Sequence, residues 1–266
     1  GVFVAGYNYV SVDNGGDIDA FASAHYGSAT GMVVYAVGDV AVYNSGDITA
    51  EFDGDFGYAT GAAVYSAYGD VYFHNDGTIT ASGGYNAGVV LASKYHTELV
   101  NNGTITADFA VLTGASYDEI WNYGTINGAI DTGWSNDVFY NAEGGEWNAS
   151  GASYFGGGDD LVLNYGTINM SDAAIYMGTY SEYGNGFVNA GTITVSGDNL
   201  IDMGEGWDEV VDTLIPSLNP NPFYNYGVID FTDGHPDDTL TIVGDFAGDG
   251  DINVDVSALH VTSDLL

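Results

Sequence analysis

A five-residue segment, Asn-x-Gly-x-Ile, recurs along the chain and constrains its fold more than any other feature. The anchors are Asn14, Asn44, Asn75, Asn101, Asn122, Asn164, Asn189 and Asn225, with a degenerate copy at Asn141. Successive anchors lie 19 to 36 residues apart, and periods of this length are typical of proteins built from stacked structural units. The repeat therefore predicts a solenoid.

A second repeat precedes the anchor in the middle of the chain. It has the form Gly-x3-Asp-x3-Asn, with full copies starting at Gly114, Gly133 and Gly156 and a partial copy at Gly204. Its apolar residues alternate with polar ones, so it predicts a strand that runs into each Asn.

The residues after each Asn-x-Gly turn read as a short alternating strand, in which Ile faces one side and its polar neighbours face the other. The isoleucines are Ile18, Ile48, Ile79, Ile105, Ile126, Ile168, Ile193 and Ile229. We expect them to stack in one interior column, because a single rung cannot bury its own apolar face. The anchor asparagines are expected to form a ladder of side-chain amides at a corner of the stack.

Composition agrees with an all-β chain. Lys and Arg together number 1, whereas Gly numbers 40 and Tyr 21, and surface helices are normally rich in Lys, Arg and Glu. A further strand family, such as Met32–Tyr35, lies between anchors. The prediction is a right-handed parallel β-helix with about three strands per rung and residues 1–266 as a single solenoid.

Two segments depart from the repeat. Residues 213–222 contain three of the four prolines and are predicted to leave the rungs as a loop insertion, because proline cannot donate to a strand ladder. Residues 240–266 are predicted to form a distinct end segment.

The rung pattern Gly-x3-Asp-x3-Asn-x-Gly-Thr-Ile resembles the passenger regions of bacterial autotransporters and related β-strand-repeat surface proteins. The C-terminal strands from Leu240 to Leu266 resemble the ends of such passengers. The resemblance covers nearly the whole chain. It implies a β-helix, export to the surface of a Gram-negative cell and a missing C-terminal membrane barrel, but it assigns no catalytic residue.

The formal net charge is −36, which excludes nucleic acid as a partner because phosphate neutralisation requires Lys and Arg. No apolar run is long enough to span a membrane. Such a charge suits a saline or marine environment in which cations screen the repulsion. Calcium is the one expected ion, since aspartates lie in glycine-rich turns. The candidate ligands are Asp53, Asp55, Asp159, Asp160, Asp245, Asp249 and Asp251.

No nucleophile motif or metalloprotease histidine spacing is present, and catalysis is not expected. The leading hypothesis is an extracellular structural scaffold that self-associates, through its ends or faces, into a fibre or surface layer. The alternative is an adhesin that binds a host surface or glycan through tyrosine-rich faces. Two minor alternatives are an ice-binding solenoid, from Thr-x-Thr pairs such as Thr104 and Thr106, and a neutral-glycan hydrolase using paired carboxylates such as Asp159 and Asp160 or Asp237 and Asp238.

Overall fold

The computed structural model shows a parallel β-helix. It describes residues 1–178, 184–204, 207–208, 213–214, 221–257, 262–263 and 265, and these form strands, turns and bends without a helix. None of the described residues therefore forms a helix long and apolar enough to cross a membrane. The chain divides into two compact units, Gly1–Gly133 and Trp134–Leu266.

The first unit contains fourteen strands. They are β1 (Val2–Gly6), β2 (Val10–Asn14), β3 (Ile18–Ser23), β4 (Tyr26–Ala36), β5 (Val40–Asn44), β6 (Ile48–Asp53), β7 (Phe56–Ser66), β8 (Val71–Asn75), β9 (Thr78–Ser82), β10 (Tyr85–Ala92), β11 (His96–Asn101), β12 (Thr104–Leu112), β13 (Tyr117–Asn122) and β14 (Thr125–Asp131).

These strands pair in parallel with the equivalent strand of the next rung. One row runs β2-β5-β8-β11-β13, and a second runs β1-β4-β7-β10-β12-β14. Strands β3, β6 and β9 pair with one another and join β12. Every strand thus stacks on a strand one repeat away, as the periodic sequence predicts.

The number of strands in a rung varies along the first unit. The rungs that start at β2, β5 and β8 each contain three strands, whereas those that start at β11 and β13 contain two. The later rungs are shorter. In them one continuous strand replaces the second and third strands, so that β12 pairs with both β9 and β10. Strand β12 accommodates this with register irregularities against β14 near Phe109.

The longer rungs of the first unit carry a small additional core. Phe52 at the end of β6 is 2 % exposed and packs among alanines of neighbouring strands. Ala29 and Ala59 belong to the same cluster. The small alanine side chains allow neighbouring strands of the long rungs to pack closely around the ring of Phe52.

Isoleucines line the interior of the first unit. Ile18, Ile48 and Ile79 pair in register, and Ile105 and Ile126 continue the column. The last four are fully buried. Each buried side chain contributes roughly 1.5–3 kcal/mol of transfer free energy, so the column is a main source of stability.

The anchor asparagines form a continuous hydrogen-bonded ladder in the first unit. Each Nδ2 donates to Oδ1 of the next Asn at 2.7–2.9 Å, from Asn14 through Asn44, Asn75 and Asn101 to Asn122. The same Nδ2 groups donate to glycine carbonyls of the adjoining turn, as Asn44 does to Gly46 at 2.9 Å. A carboxylate could not serve here, because the position requires donors as well as acceptors.

The repeat glycine is required by stacking. A Cβ added at Gly77 would meet the carbonyl oxygen of Gly46 on the preceding rung, whereas one added at Gly16 on the first rung would meet nothing within 4 Å. Close approach of successive turns, and not a left-handed backbone, thus explains the glycine at this position.

Sixteen strands occur among the described residues of the second unit. They are β15 (Val138–Asn141), β16 (Glu146–Tyr154), β17 (Leu161–Asn164), β18 (Thr167–Tyr176), β19 (Gly186–Asn189), β20 (Thr192–Ser196), β21 (Asp198–Asp202), β22 (Trp207–Asp208), β23 (Thr213–Leu214), β24 (Pro222–Asn225), β25 (Val228–Asp230), β26 (Thr239–Val243), β27 (Asp245–Gly248), β28 (Asp251–Asn253), β29 (Val256–Ser257) and β30 (Thr262–Ser263).

The second unit repeats the same arrangement. Its two parallel rows run β15-β17-β19-β24-β27 and β16-β18-β20-β25-β28. An Asn ladder runs from Asn141 through Asn164 and Asn189 to Asn225 at 2.7–2.8 Å. Trp147 occupies the isoleucine position of the degenerate repeat, in register with Ile168, and is fully buried.

Two predicted segments are only partly described. Of the proline-rich segment 213–222, residues 215–220 lie outside the described residues, and Thr213–Leu214 pairs antiparallel with Trp207–Asp208. In the end segment 240–266, β26, β27 and β28 each add a parallel strand to the stack. That end therefore continues the β-helix through Asn253.

Candidate ligand-binding face

The outer face of the row β2-β5-β8-β11-β13 carries tyrosine, carboxylate and imidazole side chains. Alternation along β8 turns Phe73 into the core at 1 % exposure and leaves Tyr72 40 % exposed on the outer side. The same alternation places Tyr43 on β5 and Glu98 on β11 on the outer side. Stacking then aligns these side chains across neighbouring rungs.

An open groove of about 280 Å³ lies on this face. Its walls combine tyrosine rings with carboxylates and one imidazole. The lining residues with polar side chains are Tyr9, Asp39, Tyr43, Tyr72, His74 and Glu98. We call this feature the tyrosine groove.

Hydrogen bonds hold one end of the tyrosine groove in place. His74 Nε2 lies 2.9 Å from Asp76 Oδ1, and Asn102 Nδ2 donates to that same oxygen at 2.8 Å. The bond from Asn102, followed by that from His74, lowers the pKa of Asp76. Asp76 therefore stays ionised. The centroid of the His74 ring lies 5.9 Å from that of Tyr43.

The hydroxyl of Tyr72 remains a hydrogen-bond donor across the physiological range. Loss of solvation, followed by the charges of Asp70, Asp39 and Glu98, raises the pKa of this phenol. A protonated phenol beside carboxylates gives the groove both a donor and acceptors.

A cluster of three potential metal ligands adjoins the groove. His96, Glu98 and Glu119 each offer a ligand atom, and these atoms lie within 4.8 Å of one another. Within the described residues this is the one such group of three. Strands β11 and β13 place Glu98 directly beside Glu119, and His96 Nε2 lies 3.2 Å from Glu119 Oε2.

The aspartates of the second repeat form a different kind of site, because they are buried. Asp118, Asp137 and Asp160 are at most 1 % exposed. Burial raises the pKa of Asp118, although hydrogen bonds from Thr113, Ser116 and Thr97 oppose the shift. Burial also raises the pKa of Asp160, to about 7. These carboxyl groups face the interior and are not available to an external ligand.

The aspartates predicted as calcium ligands include both exposed carboxyl groups and the buried Asp160. Asp53 and Asp55 are exposed, and Asp55 Oδ2 lies 2.7 Å from His25 Nδ1. Asp159 is half-buried while its neighbour Asp160 is buried. The remaining three, Asp245, Asp249 and Asp251, are exposed near the C-terminal end. None of the seven belongs to a group of three ligands within the described residues.

A family model described as the BigA third pectate lyase-like domain matches residues 2–211. The chain belongs to this family. No curated protein and no solved structure shows a significant match to the chain. Membership of the BigA family agrees with the parallel stacking of the strands and identifies the chain as a β-helix domain of a bacterial surface protein. The resemblance to bacterial surface proteins is thereby confirmed.

Sequence reasoning missed the cluster of His96, Glu98 and Glu119. Its signal lies in the register to the anchors: Glu98 precedes Asn101 by three residues, and Glu119 precedes Asn122 by three. Equal offsets on successive rungs place side chains beside one another on the outer face. The histidine spacing alone, which follows no metal motif, could not reveal this.

Proposed function

We propose that this BigA-family domain is a non-catalytic carbohydrate-binding module, and that the tyrosine groove binds a neutral oligosaccharide. The single observation that carries the proposal is the groove itself, in which exposed tyrosine rings stand beside carboxylates. Sugar rings present apolar C–H faces that pack on aromatic rings, and their hydroxyls donate to carboxylates.

The charge of the chain favours a neutral ligand. A net charge of −36 with a single basic side chain repels uronates and sulfated glycans. The same shortage of cations argues against lyase chemistry, which must stabilise negative charge on an acidic polysaccharide. A neutral glycan avoids both penalties.

The two Asp-Asp pairs considered as hydrolase carboxylates also support a non-catalytic role. A glycosidase requires two carboxyl groups that face one substrate. Asp160 is buried whereas Asp159 is half-buried, and Asp238 is buried whereas Asp237 is exposed. Each of these pairs is divided between the interior and the surface.

Exposed aromatic residues favour binding over passive scaffolding and over ice binding. Tyr9, Tyr43 and Tyr72 are 40–61 % exposed on one face, and such patches mark interaction sites. Two hydroxyls of the Thr rows are already engaged in hydrogen bonds, since Thr194 Oγ1 donates to Asn169 Oδ1 and Asn127 Nδ2 donates to Thr106 Oγ1. We place the domain at the surface of a Gram-negative cell in saline surroundings, where cations screen its charge.

An array of neutral and acidic glycans, probed with the fluorescently labelled domain, tests this function. Retention of neutral oligosaccharides is expected, with binding lost in Tyr43→Ala and Tyr72→Ala. Tyr85→Ala is the matched control, because Tyr85 is also exposed, at 75 %, but lies on another face, stacked on Tyr58. Equal loss in the control, or retention of acidic glycans only, contradicts the proposal.

Two further readouts separate the alternatives. Mass spectrometry of the bound oligosaccharide detects cleavage, and a shortened product would identify a hydrolase. Electron microscopy and sedimentation of the purified domain detect self-association, and filaments without glycan binding would favour the scaffold hypothesis.

A further inference from the structure

We propose that His96, Glu98 and Glu119 bind a zinc ion on the outer face of the first unit, beside the tyrosine groove. The ligand set is one imidazole and two carboxylates, with its donor atoms within 4.8 Å of one another. The inference does not depend on glycan binding.

Strand register brings the three side chains together. His96 and Glu98 lie two residues apart on β11, so both point outward. Glu119 lies directly opposite Glu98 on β13, and Tyr117 lies opposite His96. All three ligands therefore belong to rigid, adjacent strands, which is the arrangement that holds a metal site in a fixed geometry.

Repulsion between the carboxylates of Glu98 and Glu119 favours binding of a cation. Like charges directly opposite each other on neighbouring strands destabilise a sheet. Glu98 and Glu119 are such a pair in a chain whose one basic residue outside histidine is Lys94. Lys94 is exposed and makes no ion pair within the described part of the chain. A divalent ion between the two carboxylates would remove the repulsion.

Neighbouring aromatic residues orient the ligands. The hydroxyl of Tyr117 donates to Glu119 Oε1 at 2.7 Å, which leaves Oε2 facing His96. The imidazole of His96 lies between two rings, with centroid distances of 5.9 Å to Tyr72 and 5.5 Å to Tyr117. Partners that fix a ligand in this way typically change metal affinity by about 10- to 100-fold.

The chemistry of the ligands selects zinc over calcium. Zinc accepts imidazole nitrogen and carboxylate oxygen in four-coordinate sites, and three protein ligands leave a fourth position for water. Calcium takes six to eight oxygen ligands. The side chains of His96 and Glu119 are 23 % and 25 % exposed, so an ion can enter from solvent and yet be partly shielded from it.

Isothermal titration of the folded domain with zinc chloride, in sodium chloride that screens the surface charge, tests the site. One zinc ion per chain is expected, and His96→Ala, Glu98→Gln and Glu119→Gln should each weaken binding by about 10-fold or more. His25→Ala is the matched control, because His25 forms a two-residue pair with Asp55 outside the cluster. Tyr117→Phe should weaken binding while leaving all three ligands in place.

Three results would overturn the assignment. These are no saturable zinc binding by the native domain, equal weakening in His25→Ala, and displacement of zinc by an equal concentration of calcium. Circular dichroism without metal verifies that each variant is folded. Cobalt(II) provides a second measurement on the native chain, since a four-coordinate site with nitrogen and oxygen ligands gives visible absorption far stronger than that of the hydrated ion. Because no glycan is present, failure here leaves the carbohydrate proposal untouched.

Discussion

The backbone N–H of Asp160 donates a 2.9 Å hydrogen bond to Oδ1 of Asn185, its counterpart on the next rung. The backbone N–H of Asp137 likewise donates to Asp160 Oδ1. One column therefore contains aspartate and asparagine at equivalent positions. The two differ on the other side-chain atom. Asn185 Nδ2 donates to the carbonyls of Met177 and Met203, whereas buried Asp160 Oδ2 has no hydrogen-bond partner among the residues that the structure describes.

Asp160→Asn should stabilise the protein at pH 8 and have little effect at pH 4. Burial raises the pKa of Asp160 to about 7, so the folded state favours the protonated carboxyl. Its contribution is favourable below the unfolded pKa of about 3.9 and is lost as the pH rises through 7. The loss of unfolding free energy across this pH range is on the order of 4 kcal/mol. Urea unfolding at several pH values measures it.

Asp159→Asn is the control for that experiment, because it removes the same charge from the neighbouring half-buried residue. If Asp159→Asn stabilises the protein equally at pH 8, general relief of repulsion explains the effect, and the buried carboxyl does not.

Asn164→Ala should destabilise the second unit by roughly 3 kcal/mol. Its Nδ2 donates to Asn189 Oδ1 and to the Thr192 carbonyl, and its Oδ1 accepts from Asn141. Truncation leaves buried partners unsatisfied, each at a cost of about 1–3 kcal/mol. Chemical denaturation gives the change in unfolding free energy.

Asn14→Ala serves as the comparison, since Asn14 is at the start of the ladder and only half-buried. We expect Asn14→Ala to lower the free energy of unfolding by well under half as much as Asn164→Ala does. Equal losses at both positions would contradict the dependence on burial.

Gly77→Ala should destabilise the first unit by about 1–3 kcal/mol, the usual effect of overpacking. The new Cβ would collide with the Gly46 carbonyl on the preceding rung. Gly16→Ala, at the same position of the first repeat, meets open space and should be neutral or slightly stabilising. Thermal unfolding of both variants distinguishes the steric collision from an effect on backbone freedom, because a backbone effect would change the two melting temperatures alike.

Salt should raise the melting temperature strongly, because the net charge is −36. Between 10 mM and 1 M salt the screening length falls from about 30 Å to about 3 Å.

Calcium bound at the predicted aspartates would raise the melting temperature beyond the effect of magnesium at equal ionic strength, and Asp249→Asn with Asp251→Asn would remove this additional shift. Identical curves for the two ions would exclude those sites.

The repeat, and with it the fold, could be predicted from the order of the residues alone. Asn-x-Gly-x-Ile contains a turn, an alternating strand and an amide at one fixed spacing, and in-register stacking satisfies all three at once. The positions of Asn44, Asn75 and Ile79 in the stack follow from local rules of alternation and hydrogen bonding. The degenerate repeat at Asn141 keeps the same register, because Trp147 fills the space of an isoleucine.

The contacts between outer side chains, in contrast, depend on how the rungs stack in three dimensions. Glu98 and Glu119 are 21 residues apart in sequence, and their contact depends on the length of the intervening rung. Burial of Asp160 depends equally on the rungs above and below it, which exclude water from a residue that resembles a solvated turn aspartate in sequence. Rung lengths and neighbouring rungs are non-local quantities, so a one-dimensional pattern predicts the column but not the environment of each member.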